Sequence, residues 1–189
     1  MMRATYPALN ELKTRARLLL NALHDGALPA LERSTSLSKK QHWEIPAQWA
    51  LRHCLNIVAC EAGFQHWQHA RLALSAGAPA LDDMGEFWYD KQAHGFTNHW
   101  FAHYAEAKAQ LMLHPDSYLL PYKKQFFVAE QPCITQLGLA NDAMLWQQLG
   151  HDLVAGYGSE AWVAMCQLRL NTTRRQPQMA MFNNNLVSN

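Results

Sequence analysis

The chain has 189 residues, the usual size of one domain and enough to bury a core without disulfides or a structural metal. Hydrophobic residues make up 49% and charged residues 16%, which excludes a disordered chain and predicts extensive burial, part of it in an oligomer interface. Residues 1–76 carry nine basic against five acidic side chains (+4), and residues 77–189 carry seven against ten (−3). Neither half is therefore a dedicated polyanion binder, and we expect one compact unit overall.

The sequence contains no apolar segment of the kind that secretion or membrane insertion requires. We therefore expect a cytoplasmic protein that does not enter a membrane. The cysteines form no C-x-x-C pair, which predicts reduced and mostly buried thiols. They are Cys54, Cys60, Cys133 and Cys166.

The N-terminal helical part is predicted to span residues 1–76. Pro7 lies in the first turn of an initial helix, where a proline is tolerated. Apolar residues then recur at intervals of three and four until Gly26 ends the helix. The serine- and threonine-rich stretch from Gly26 to Trp43 predicts a polar connection without a long helix.

A helix-corner-helix unit is predicted near residues 46–75. Its first helix begins with Pro46 in the first turn and ends at Gly63, which suits the left-handed position past a helix end. Its second helix covers His66 to Ser75. The lengths of the two helices and of the corner are those of an αα-corner or a helix-turn-helix.

The corner lies in a segment, L-N-I-V-A-C-E-A-G-F-Q-H-W, that resembles a short bacterial helical module with the pattern L-x-x-V-A-x-x-x-G-F-x-x-W. The same module is seen in some glyoxalase-superfamily-related proteins of undefined role. The resemblance covers residues 36–74 and implies a structural unit and a bacterial origin. It implies no activity, because the βαβββ pattern and dispersed metal ligands of glyoxalase chemistry do not occur in this sequence. The matching residues are Leu55, Val58, Ala59, Gly63, Phe64 and Trp67.

Aromatic residues and histidines crowd together in residues 85–128, a stretch we call the aromatic hub. The hub begins a second predicted part, residues 85–171, which is helical and aromatic-rich. Within it, Thr97 or Asn98 is predicted to cap a helix that continues through His114. The hub is therefore expected to combine a core with the wall of a pocket.

A small β element is predicted near residues 118–128, where the alternation of side chains becomes strand-like. Pro121 requires an edge position or a break between two strands. Three further helices are predicted beyond the hub, capped by Asp142 or its neighbour and by Ser159 in the last two. Residues 172–189 are predicted to form a tail that frays in a monomer or docks on a partner subunit. The fold class is therefore mainly α, a compact multi-helix domain with this one β element.

Three histidines of the hub suggest a metal site as one alternative. His99 and His103 lie four residues apart on the predicted helix, so their imidazoles can share one face, and His94 can supply a third nitrogen. This pattern favours a divalent metal such as zinc and a metal-dependent enzyme. The spacing arises easily in a histidine-rich helix and lacks the glutamate of H-E-x-x-H, so no cofactor is our main expectation.

Nucleic-acid binding through the helix-corner-helix unit is a second alternative. In that interpretation polar side chains of the second helix face the major groove. Only Arg52 and Arg71 are basic within the unit, whereas phosphate contacts supply most nonspecific affinity. A corner that simply packs is therefore favoured. The candidate contact residues are Gln65, Gln68, His69 and Arg71.

The leading prediction is a non-catalytic binding or regulatory module that acts by protein–protein or small-ligand contact at the aromatic hub. The hub holds more aromatic surface than one amphipathic helix needs, and no phosphate-binding glycine loop, dinucleotide fingerprint or G-x-S-x-G occurs. We expect a homo-oligomer or a complex with a partner protein. The predicted ligand-binding residues are Trp88, Trp100, Tyr104 and Tyr122.

Overall fold

The computed structural model describes residues 6–78, 82–89 and 91–184, with no account of the side chains of residues 91–92 and 173–184. The chain is mainly α, with 55% of it helical, and the described part forms eight α-helices and one three-stranded antiparallel sheet. The predicted fold class is confirmed. The helices are α1 (Pro7–His24), α2 (Leu28–Lys40), α3 (Leu51–Glu61), α4 (Trp67–Leu74), α5 (Tyr104–Leu113), α6 (Gln131–Gln136), α7 (Ala143–Leu149) and α8 (Glu160–Asn184). The strands are β1 (His99–Phe101), β2 (Tyr118–Tyr122) and β3 (Gln125–Ala129).

The chain divides into two compact units, one ending at Ser75 and the other beginning at Ala76. The first unit contains α1 to α4. Helix α1 packs mainly against α3 through the predicted apolar stripe, with Leu12 fully buried. The predicted corner is also present, since Gly63 has φ +94° and the Phe64 N–H donates to the Ala59 carbonyl at 3.0 Å. Phe64 is buried and closes the corner.

Two predictions in the first unit are wrong. Residues 26–43 are not an irregular connection, because α2 occupies most of them; its inner face consists of Ser34 and Ser38, small side chains four residues apart that are both buried. The next helix begins at Leu51 and not at Pro46. Its first turn is fixed by His53, whose Nδ1 accepts a hydrogen bond from the Ala50 N–H at 3.1 Å. Residues 41–50 are consequently a loop.

The second unit contains the sheet, in the order β1-β3-β2. Side chains alternate between its two faces. Helix α5 covers one face, where Leu111 packs with Leu119, Phe126 and Val128. The predicted β element is confirmed as the β2–β3 hairpin, and Pro121 lies within β2 at an edge of the sheet.

The predicted helix from Thr97 or Asn98 is wrong at its start. His99–Phe101 forms β1, in which Trp100 pairs with Phe127 of β3, and α5 begins only at Tyr104. A three-residue strand is defined by its pairing partner and has too few residues for a recognisable alternation. The backbone of His99–Phe101 is therefore extended, although the nearby capping residues and apolar spacing indicate a helix.

The helices that follow the sheet have the predicted caps. Asp142 Oδ1 accepts from the Leu145 N–H at 3.0 Å at the start of α7, and Ser159 Oγ accepts from the Trp162 N–H at 3.2 Å at the start of α8. The helical backbone of α8 continues to Asn184 and therefore extends into the predicted tail, which begins at residue 172. Residues 185–189 of that tail lie outside the described residues. No described helix is long and apolar enough to cross a membrane.

Candidate functional site

The sheet face opposite α5 carries a cluster of aromatic rings. Trp100, Phe127 and Tyr122 share this face by register, and Tyr89 lies against all three with ring centroids 5.1 to 5.6 Å apart. Phe127 and Tyr89 are buried, whereas 42% of the Trp100 surface is exposed. We call the exposed part of this cluster the Trp100 patch. It consists of Glu86, His94, Trp100, Tyr122 and Lys123.

The polar rim of the Trp100 patch is internally paired. Glu86 Oε1 accepts hydrogen bonds from the Tyr122 hydroxyl at 3.1 Å and from Lys123 Nζ at 2.9 Å. The hydrogen bond to Glu86 raises the pKa of Lys123, and its Nζ lies 5.1 Å from the centroid of the Tyr122 ring. Both charged side chains are about half exposed, so the pair adds little stability. The charges of Glu86 and Lys123 offset each other within the rim.

The turn between β2 and β3 positions this rim. Lys123 has φ +51°, in the left-handed region that favours glycine. Its N–H donates to the Gly85 carbonyl at 2.7 Å, and its carbonyl accepts from the Met84 N–H at 3.0 Å. These two hydrogen bonds attach Met84 and Gly85 to the turn of the β2–β3 hairpin. They thereby bring Glu86 and Tyr89 to the ring cluster.

Only two of the four predicted ligand-binding residues lie in the Trp100 patch. Trp100 and Tyr122 are in edge-to-face contact at 5.3 Å. Trp88 is almost fully buried and packs against Phe87 and Trp162, so it belongs to the core. Tyr104 lies on the opposite face of the sheet. The sequence did not distinguish these positions because every one of them is aromatic.

Tyr104 takes part in a polar cluster around the buried side chain of Asp152. The Tyr104 hydroxyl and Lys108 Nζ donate to Asp152 Oδ2 at 2.8 and 2.9 Å, and the N–H groups of Val154 and Ala155 donate to Oδ1 at 3.0 and 2.9 Å. Asp152 is fully buried. Burial and then the hydrogen bond to Asp152 raise the pKa of Tyr104. Four donors thus satisfy this carboxylate, which joins the loop before α8 to α5.

The three candidate metal ligands do not form a cluster. His94 stacks on Tyr89 at 5.5 Å, and His99 lies in β1 on the face opposite Trp100. His103 is exposed and precedes the first residue of α5, where its side chain makes no capping hydrogen bond. Among the described residues, no three His, Cys, Asp or Glu side chains are grouped to hold a metal ion. The helical spacing that suggested the site is absent, because these histidines do not share a helix.

The candidate nucleic-acid residues lie at the start of α4. Gln65, Gln68 and Arg71 are exposed, while His69 is half-buried and packs edge-on against Phe64 at 5.4 Å. His69 Nδ1 also accepts a hydrogen bond from the Gln65 N–H at 3.2 Å. One of the four predicted contacts is therefore used within the corner itself.

The cysteines are free, as predicted, with three buried and Cys60 half-buried. Burial and then the neighbouring Glu61 raise the pKa of Cys60 to about 11. Burial also raises the pKa values of Cys54 and Cys166. These three sulfurs remain thiols at neutral pH, which is the opposite of the activation that a nucleophilic cysteine needs.

A separate cleft opens in the first unit, and the sequence did not predict it. Its volume is about 80 Å³, and the loop between α2 and α3 forms most of its wall. Trp49 packs edge-on against His53 at 6.1 Å at one side. The pair of tryptophans around Pro46 is the sequence signal for this cleft, although the sequence places Pro46 equally well in the first turn of a helix. Residues that line the cleft include Trp43, Glu44, Pro46, Trp49, His53 and Asn56.

Comparison with known proteins gives no relative. No protein-family model, curated protein or solved structure matches the chain.

Proposed function

We propose that the protein is a non-catalytic binding module whose contact surface is the Trp100 patch, and that the patch binds a second copy of the chain. The observation that carries the proposal is a tryptophan with 42% of its surface exposed on an edge strand. The prediction from the sequence covered both protein and small-ligand contact at the aromatic hub. The geometry of the patch favours protein contact.

The composition of the patch is that of an interface centre. Trp and Tyr are rigid, amphipathic side chains that lose little conformational entropy on binding and are enriched among the residues that dominate binding energy. Trp100 is held by Tyr89, Tyr122 and Phe127 beneath and beside it. Because the ring is already ordered, burying its exposed part on a partner requires little further ordering.

The edge strand supplies the geometry for self-association. Among the described residues β1 pairs only with β3, so its outer side can receive a further strand. Two copies that pair antiparallel across a twofold axis place the central residue of β1, Trp100, opposite its own copy. Residues directly opposite in such a pair lie within contact distance on the same face. The two patches then become one continuous aromatic surface.

The charges of the patch are compatible with this pairing. Glu86 and Lys123 neutralise one another, so two copies meet without a large repulsion between like charges. The low charged fraction of the chain, 16%, acts in the same direction. A self-complementary surface of this kind requires no second type of partner.

Sedimentation velocity over a concentration series tests the proposal. We expect wild type to show a dimer and Trp100→Thr to weaken the dimer by at least about thirtyfold, the effect of removing a dominant interface residue while keeping a strand-forming side chain. Met112→Gln is the matched control, because Met112 is 75% exposed but lies on α5. It should leave the dimer unchanged. A monomer at every concentration, or equal effects of the two substitutions, would refute the proposal.

A further inference from the structure

The cleft in the first unit is lined by two tryptophans and a glutamate. Trp43 and Trp49 lie on either side of Pro46 in the loop, and Glu44 follows Trp43. Both tryptophans are half-buried and Glu44 is exposed, so none of the three belongs to the core. Aromatic faces next to a negative charge attract cations, and quaternary ammonium groups are bound in proteins by such aromatic arrangements.

The charges that line the cleft also favour a cation. Glu44 is the one carboxylate among the lining residues, and no described residue forms a hydrogen bond or an ion pair with it. Among the described residues, no lysine or arginine lines the cleft. Burial, and then the charge of Arg52, lower the pKa of His53, so this imidazole is neutral at neutral pH and does not oppose a bound cation.

The size of the cleft limits what it accepts. Its volume of about 80 Å³ is far below the ~300–1,000 Å³ of pockets that enclose drug-sized ligands. It can therefore take a small head group while the rest of the ligand remains outside. We propose that this cleft binds the methylated ammonium group of a small organic cation, with Trp43 and Trp49 against the methyl groups and Glu44 as the counter-charge.

Arg52 carries a positive charge near the cleft, and its effect on a bound cation is opposite to that of Glu44. It is exposed, and its Nε lies 3.1 Å from Nε2 of His53, which lines the cleft. A cation in the cleft is repelled by this guanidinium and attracted by Glu44. Neutralising the two side chains must therefore change the affinity in opposite directions, which a general loss of structure would not do.

The test uses the full-length protein labelled with nitrogen-15 and choline chloride as the probe. The seven tryptophans give seven indole N–H signals in a two-dimensional NMR spectrum, and Trp43→Phe and Trp49→Phe assign two of them. We expect millimolar choline to shift these two signals saturably. Sodium chloride at equal ionic strength is the salt control. The uncharged isostere 3,3-dimethylbutan-1-ol should bind at least about tenfold more weakly, since it lacks the charge that the rings attract.

Three exposed side chains complete the experiment without disturbing a core. Glu44→Gln should weaken choline binding by about tenfold, and Arg52→Gln should strengthen it by about threefold. Glu32→Gln, on the exposed side of α2, is the matched control and should have no effect. The proposal is overturned if choline causes no saturable shift of the Trp43 and Trp49 signals, if the uncharged isostere binds equally well, or if Glu44→Gln behaves like Glu32→Gln. These outcomes do not depend on the Trp100 patch, which is tested separately.

Discussion

The two faces of the sheet in the second unit use aromatic residues in different ways. On the α5 side, Tyr104 packs edge-on against Phe126 and donates to the buried carboxylate of Asp152. On the opposite side, Trp100 packs against Phe127 but keeps 42% of its surface exposed. The first face is covered by α5, and the Tyr104 hydroxyl there is hydrogen-bonded to Asp152. The second face is also aromatic, but part of it is exposed to solvent at Trp100.

The difference shows that aromatic content alone does not indicate a binding surface. Trp88 and Trp100 belong to the same hub, yet Trp88 contributes to the core and Trp100 to the surface. Substituting a core residue lowers the free energy of unfolding, whereas substituting a contact residue on the surface weakens association with the partner. Substitutions at a buried and at an exposed aromatic residue should therefore separate these two quantities.

The largest expected effect distinguishes Trp88 from Trp100. Trp88→Ala removes an almost fully buried indole and should lower the free energy of unfolding by ~3–5 kcal/mol. Trp100→Thr should cost only about 1–2 kcal/mol, because nearly half of its surface is already in water. Urea denaturation measures both values. Equal costs would mean that Trp100 is as much a core residue as Trp88.

The buried carboxylate gives the next largest effect. Asp152→Ala leaves the Tyr104 hydroxyl, the buried N–H of Val154 and the part-buried N–H of Ala155 without their acceptor, and we expect a loss of about 3 kcal/mol in the free energy of unfolding. Asp142→Ala is the matched comparison, since that carboxylate caps α7 through a single N–H; it should cost about 1 kcal/mol. If Asp152→Ala lowers the free energy of unfolding no more than Asp142→Ala does, the hydrogen bonds to Asp152 do not stabilise the packing of α5 as described.

A smaller effect should appear at alkaline pH. The pKa of Tyr104 is raised in the folded protein, by burial and then by its hydrogen bond to Asp152, above the value of about 10 in an unfolded chain. The folded state holds this proton more tightly, so the stabilisation is complete below about pH 10 and is lost as the pH rises through the folded-state pKa. Tyr104→Phe should therefore make the free energy of unfolding fall less steeply above about pH 10.

Thermal unfolding monitored by circular dichroism between neutral and alkaline pH checks this expectation. Tyr104→Phe should also cost about 1 kcal/mol at neutral pH through the lost hydrogen bond. An unchanged slope in Tyr104→Phe would show that this hydroxyl does not carry the pH dependence.

Sequence reasoning succeeded where the signal is local. Gly63 as the turn, Asp142 and Ser159 as helix caps and the β element near residues 118–128 each depend on residues a few positions apart. The prediction of a helix start at Pro46 is wrong, because a proline that is tolerated in a first helical turn also occurs in loops. The helical backbone and the serine pair of α2 show that polar composition alone does not exclude a helix.

The candidate sites could not be predicted from the sequence to the same extent, because they are formed by contacts between residues that are far apart in the chain. Strand β1 exists through its pairing with β3, more than twenty positions later, and this pairing separates His99 from the helix expected to carry it. The same pairing places Trp100 and Tyr122 on one face. The hydrogen bonds from Tyr104 and Lys108 to Asp152 span more than forty positions. No spacing rule within one helix could have predicted these contacts.

Hydrogen exchange of wild type at a low and a high protein concentration tests the central claim most directly, because it locates the contact in the unmodified protein. We predict that the backbone amides of β1 become more protected at high concentration, while the exposed end of α5 at Met112 and Leu113 does not change. Protection of β1 that is independent of concentration, or a change confined to α5, would contradict the claim that the Trp100 patch is the contact surface.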